Sequence, residues 1–146
     1  MINMKEWAHN VMGNPGRIAI PIMTHPGIEL CGYTVKQAVT DGQKHAEAIQ
    51  KLNEIYPAAA CTVIMDLTVE AEAFGAKVAF EENEVPNVIG RLVSDRTSIE
   101  ALEIPSLETA RVPQYLGANT LAAKCITDKP VFRRMYWSIF FGRSLV

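Results

Sequence analysis

The 146-residue sequence predicts an α/β fold with parallel strands. Three observations carry this expectation. Short apolar runs with β-branched residues occur at residues 17–23 and 61–65, and another begins at 129. Runs of that length read as buried strands. Helix-forming stretches separate them, and each crossover exceeds a dozen residues, as parallel pairing requires. No GxGxxG, P-loop or GxSxG motif is present, which favours a barrel over a nucleotide-binding sheet. The expected architecture is the N-terminal part of a (β/α)8 TIM barrel. A complete barrel takes eight units in roughly 250 residues, and this sequence supplies three, so the barrel is expected to be incomplete.

Each element has its own local reason. Residues 3–12 suit a short helix with Trp7 and Val11 on one face, and Gly13-Asn-Pro-Gly16 breaks it. Residues 17–23 read as the first buried strand, with Pro21 weakening its pairing. Thr24-His-Pro-Gly27 reads as the loop leaving it. Thr34-Val-Lys-Gln37 and Thr40-Asp-Gly-Gln43 both fit the capping box. The second opens an amphipathic helix. Val39, Ala46, Ile49, Leu52 and Tyr56 form one face, and Lys44, Glu47, Gln50, Lys51 and Glu54 form the other. His45 falls on the polar side and is expected to be solvated, as is His9. Pro57 ends the helix.

The strand at 61–65 stops at Asp66, and a helix over residues 68–74 follows, ending at Gly75. Residues 77–80 form a short extended piece, and 81–84 form an acidic, solvated turn. Residues 85–93 show no clear period. Ser94-Asp-Arg-Thr-Ser98 can cap a short helix around 99–102. Pro105 and Pro113 divide the next region, a helix covers residues 115–127, and 129–132 starts a third strand.

Composition narrows the function classes. The chain is 49% hydrophobic and 21% charged with a net charge of −2, a soluble globular balance. Its 14 basic residues are scattered, so no nucleic-acid partner is expected. No apolar run reaches the roughly 18 residues of a membrane span, and the N-terminus does not read as a signal peptide. Cys31, Cys61 and Cys125 are far apart with no CxxC spacing. They read as reduced packing residues of a cytoplasmic protein.

Three residues are candidates for chemistry: Asp66, Glu70 and His25. Asp66 ends a strand, where α/β folds place their sites, although an Asp there is also a good helix N-cap. Glu70 and Glu72 lie early in the next helix, where acids favour the dipole; Glu70 is the nearer to the strand end. His25 follows the first strand and could donate a proton, hold a ligand or simply serve a turn. Without paired ligand spacing, no metal site is expected in the chain.

The run Asp66-Leu-Thr-Val-Glu-Ala-Glu-Ala-Phe-Gly75 resembles the uroporphyrinogen decarboxylase superfamily. It is most similar to the methylcobamide:coenzyme M methyltransferase branch, where a TVEAEALG-like run follows the second strand. The decarboxylases have a related SDILVIPEALG-type run whose Asp is the central active-site residue, and Asp66 is the matching position. The Gly32-Tyr-Thr-Val-Lys-Gln-Ala38 and Lys129-Pro-Val-Phe132 segments agree, so the resemblance covers roughly residues 15–132. It implies methyl transfer from a methylcobamide to a thiol that zinc activates. A corrinoid protein or small-molecule substrate is the implied partner of full-length relatives. Zinc and the cobamide are implied for those relatives, not for this portion. The alternative the resemblance implies is uroporphyrinogen decarboxylation in porphyrin synthesis. There Asp66 would accept hydrogen bonds from pyrrole N–H groups; in a methyltransferase it would orient substrate. Against the decarboxylase, the RQAGRY-type arginine loop is replaced by Met23-Thr-His-Pro-Gly27. A substrate with many carboxylates needs such donors.

The tail departs from the resemblance. Arg133-Arg-Met-Tyr-Trp-Ser-Ile-Phe-Phe-Gly-Arg143 stands where a GPFSLAGR-like segment is expected. One allowed codon set for the tail, read one base on, yields A-G-C-I-G-P-F-S-L-A. The expectation is therefore a barrel part over 1–132 and an out-of-frame tail over 133–146. A third function class follows: a non-catalytic truncated fragment that self-associates through its open barrel edge.

Overall fold

The computed structural model describes residues 2–22 and 24–132. The expected out-of-frame tail and Met23 lie outside the described residues. Chain order is α1 (Met4–Gly13), α2 (His25–Leu30), α3 (Val35–Thr40), α4 (Gly42–Ile55), β1 (Cys61–Thr62), α5 (Val69–Ala73), β2 (Lys77–Ala79), β3 (Asn87–Ile89), α6 (Arg96–Glu100), α7 (Val112–Cys125) and β4 (Val131–Phe132). Among the described residues, no helix is long and apolar enough to cross a membrane.

The expected parallel pairing is present. β1 lies beside β4 with Cys61 opposite Val131 and Thr62 opposite Phe132. Cys61 N donates to Pro130 O at 2.9 Å, and Val63 N to Phe132 O at 3.4 Å. Backbone groups of alternate residues point to the other side of β1. Side chains serve them there: Thr24 Oγ1 donates to Thr62 O at 3.0 Å, and His45 Nε2 accepts from Ile64 N at 2.8 Å.

This corrects the first expected strand. Residues 18–22 run beside β1 as extended chain rather than as a hydrogen-bonded strand. Ala59 N donates to Ala19 O at 3.2 Å, and the Thr62 hydroxyl reaches Pro21 O at 3.4 Å. Pro21 has no N–H to give, so a regular ladder cannot form across it.

Helices α2, α3, α4, α5 and α7 enclose the main core around Ile28, Val39, Ala48, Ile64 and Tyr115. Two glycines permit the closest approaches. A Cβ on Gly42 would lie 2.5 Å from Gln114 O, and one on Gly27 would lie 2.1 Å from Ala48 O. Thus α7 and α2 both rest against α4 backbone to backbone.

Several local expectations are revised. The Thr34–Gln37 capping box forms as read, but Asp41 rather than Thr40 caps α4, accepting from Gln43 N and Lys44 N. His45 is 1% exposed, not solvated. Pro113 does not divide the chain: it occupies the first turn of α7, where its missing N–H is no loss. Thr24-His-Pro-Gly27 is not a free loop, because His25 begins α2. The acidic turn joins an antiparallel hairpin, β2 on β3, with Val78 opposite Val88. Asp95 caps α6, which starts at Arg96 rather than near Ile99. Cys61 is buried as expected, whereas Cys125 is exposed.

The Gly42 contact is directly testable. Gly42→Ala is expected to cost about 1–3 kcal/mol in urea unfolding, because the new methyl must push α7 away. Gly13→Ala meets nothing within 4 Å and is expected to stay within about 0.5 kcal/mol of the parent.

Candidate active site

Beyond Thr62 the chain leaves the sheet and turns through Asp66 into α5. The Asp66 side chain has no solvent exposure. Its Oδ1 accepts from Thr68 N at 2.8 Å and from Thr68 Oγ1 at 2.7 Å. Its Oδ2 accepts from Arg111 Nη1 at 2.5 Å and from the Tyr115 hydroxyl at 3.0 Å. Both oxygens are therefore filled by donors from the protein itself.

Arg111 gathers the rest. Its Nε donates to Glu72 Oε2 at 2.5 Å and its Nη2 to Thr68 Oγ1 at 2.7 Å. The guanidinium carbon stands 4.7 Å from the centroid of the Phe80 ring, which follows β2, and 6.0 Å from that of Tyr115. Burial works against the Arg111 charge, but the Asp66 and Glu72 carboxylates overcome that and hold its pKa above the ordinary arginine value. The residue before it, Ala110, sits at φ 50, a left-handed conformation that costs a non-glycine residue roughly 1–2 kcal/mol. That turn starts α7 and aims Arg111 back at β1.

In front of this cluster lies a cleft of about 160 Å³. Asp66, Glu70, Ser106 and Tyr115 are its polar lining residues, and Ile64, Val69, Phe74 and Leu107 form half of its apolar wall. The structure brings two sequence candidates together, Asp66 and Glu70. The third, His25, does not line the cleft. It sits in the first turn of α2, with its Nε2 buried and without a hydrogen-bond partner among the described residues. Asp66 accepts from the amide of Thr68, which precedes α5, and so closes a turn rather than capping the helix itself. Glu72 lies in the first turn of α5, as the dipole reading has it, and also pairs with Arg111.

Sequence reasoning missed Arg111, Thr68 and Tyr115. Thr68 had a local signal, since an Asp two residues before a Thr favours a side-chain-closed turn. Arg111 stands 45 residues from Asp66. Its signal is Pro113 read as the first turn of a helix, which places Arg111 at the helix start. Among the described residues, no three His, Cys, Asp or Glu side chains converge as a metal site would require.

Residues 14–132 match the profile described as Uroporphyrinogen decarboxylase (URO-D). The chain belongs to the URO-D family. A methyltransferase from Methanosarcina mazei shares its fold, with a TM-score of 0.76 at 21% sequence identity. The match covers 93% of this chain and 42% of that chain, so the chain spans less than half the length of that methyltransferase. Its fold is that of part of a (β/α)8 TIM barrel. A comparison with curated proteins found no match.

For this URO-D family site, Arg111→Met is expected to strand two carboxylates beside apolar groups. Removing one partner of a buried pair costs about 3–5 kcal/mol. Thermal unfolding should show a loss of that order, and Arg111→Lys should recover only part of it. An ammonium cannot present the fork that reaches Asp66, Glu72 and Thr68 together.

Proposed function

We propose that the chain is part of a URO-D family methyltransferase that passes a methyl group from a methylcobamide to a thiol. The observation that carries this reading over decarboxylation is the state of Asp66. Thr68, Arg111 and Tyr115 fill both of its oxygens, so no acceptor remains on it for pyrrole N–H groups. The nearby cation is also committed, since Arg111 is shared between Asp66 and Glu72. With the arginine-free segment at 23–27, this leaves a polycarboxylate substrate poorly served. The Thr68-Val-Glu-Ala-Glu-Ala-Phe-Gly75 run and the methyltransferase fold neighbour add support.

In this reading Asp66 shapes rather than reacts. The Asp66–Arg111 unit fixes the back of the cleft, and Glu70, Ser106 and Tyr115 present polar groups to whatever enters. A cleft of about 160 Å³ is smaller than the roughly 300–1,000 Å³ of drug-sized ligand sites. In this reading the cobamide stays with a corrinoid protein at the mouth. The described residues do not fit a zinc site either, so zinc-bound thiolate chemistry is not assigned to them. The proposed location is cytoplasmic, where Cys31, Cys61 and Cys125 would remain reduced thiols.

A second reading is a non-catalytic barrel part that self-associates along its open sheet edge. It is favoured by Ile22 and Leu67, which precede and follow β1 in the chain and are 57% and 45% exposed.

One paired assay separates these readings. The chain, assembled with the remainder of the methyltransferase proposed here and supplied with zinc, is incubated with methylcobalamin and coenzyme M, and in parallel with uroporphyrinogen. Loss of the methylcobalamin absorbance without decarboxylation is the expected result. Formation of decarboxylated porphyrinogen would overturn the proposal. Inactivity toward both, in a chain that sediments as an oligomer, would favour the second reading.

A further inference from the structure

The buried histidine of α4 is used by none of the chemistry above. His45 is 1% exposed, and two of its contacts lead to the cleft. Its Nε2 accepts from Ile64 N at 2.8 Å, and Ile64 lines the cleft two residues before Asp66. Its ring meets the Tyr115 ring edge-on, with centroids 5.0 Å apart and planes at 85°. Tyr115 in turn donates its hydroxyl to Asp66 Oδ2 at 3.0 Å.

The need for an acceptor here follows from the sheet. The residue 61 and 63 amides, in β1 and just beyond it, face β4, so the Ile64 amide faces away from it. Residues 18–22 do not reach that amide as a paired strand. A buried N–H without an acceptor would cost about 1–3 kcal/mol. An apolar side chain at position 45 could fill the space but could not accept this hydrogen bond.

We propose that His45 is a positioning residue for the cleft: it holds the Ile64 amide and the Tyr115 ring together so that Asp66 keeps its orientation. The role requires the tautomer with a bare Nε2 and the proton on Nδ1. Protonation would set an N–H donor against the Ile64 N–H donor and release the wall. Burial favours the neutral ring and lowers its pKa from 6.5 to about 4, opposed in part by the Asp66 carboxylate. Asp66 itself faces Arg111 and Tyr115, so its charge is largely answered before it reaches the imidazole. The sign is that of a depressed histidine: the unfolded chain takes up the proton first. Stability contributed by His45 is therefore complete above pH 6.5 and is lost as pH falls from there to about 4.

The test uses ¹⁵N NMR on the full chain, with His45→Gln and His45→Leu as variants. At pH 7 the wild-type His45 is expected to show an unprotonated Nε2. The glutamine variant keeps an acceptor and should leave the Thr68 amide, which reports on Asp66, and the Tyr115 ring signals near wild type. The leucine variant should shift both. Lowering the pH should move the Ile64 and Thr68 amides of the wild type together with a midpoint near 4, and the glutamine variant should lack that transition. The proposal is overturned by a protonated Nε2 at pH 7, by a leucine variant with wild-type Thr68 and Tyr115 signals, or by the same transition in the glutamine variant. That last result would assign it to the carboxylates. Should the leucine variant fail to fold, the comparison of wild type with glutamine still decides.

Discussion

Arg111 lies between Asp66 and Glu72 with its side chain only 7% exposed, and the end of β1 is organised by that contact. The guanidinium joins four parts of the chain: the turn after β1, helix α5, the Phe80 position after β2, and the start of α7. A lone buried ion pair would roughly break even against its desolvation. Here the charge meets two carboxylates and a hydroxyl in short hydrogen bonds, which is the condition under which such a pair is held firmly. It also outweighs the left-handed turn at Ala110 that aims it.

The same economy of partners recurs along β1. One side of the strand is served by backbone, through Pro130 and Phe132. The other is served by side chains, Thr24 on Thr62 and His45 on Ile64. A strand satisfied in this way is fixed by helices α2 and α4 as much as by its sheet. Because α4 also carries Gly42 against α7, one helix sets both the strand's outer face and the position of Tyr115. Asp66 is thus located by packing from two directions, and its carboxylate is turned inward toward Arg111.

How much of this could be read from sequence differs by kind of signal. The parallel crossover, the α4 stripe and the Thr34 capping box were legible because their causes are local: run length, helical spacing and a Thr–Gln offset. The partners at the end of β1 were not. His45 sits among Lys44, Glu47 and Gln43 and reads as solvated, yet it turns inward, where a buried backbone amide 19 residues on donates to it. Arg111 carried no mark near Asp66, since the contact spans 45 residues. The β2–β3 hairpin was hidden by an irregular period through residues 85–93, while Pro21 correctly warned of weak pairing in the first run. Asp66 and Glu70 were singled out by position after a strand and by the family resemblance, and both line the cleft; their partners required the fold.

Asp66 is bound to Arg111 rather than held ready for substrate. A double-mutant cycle with Asp66→Asn and Arg111→Met measures that link directly by urea unfolding. A favourable coupling of about 2 kcal/mol or more is expected between the two sites, near the upper part of the range for contacting residues. Single changes that add to within about 0.5 kcal/mol, as independent sites do, would contradict it.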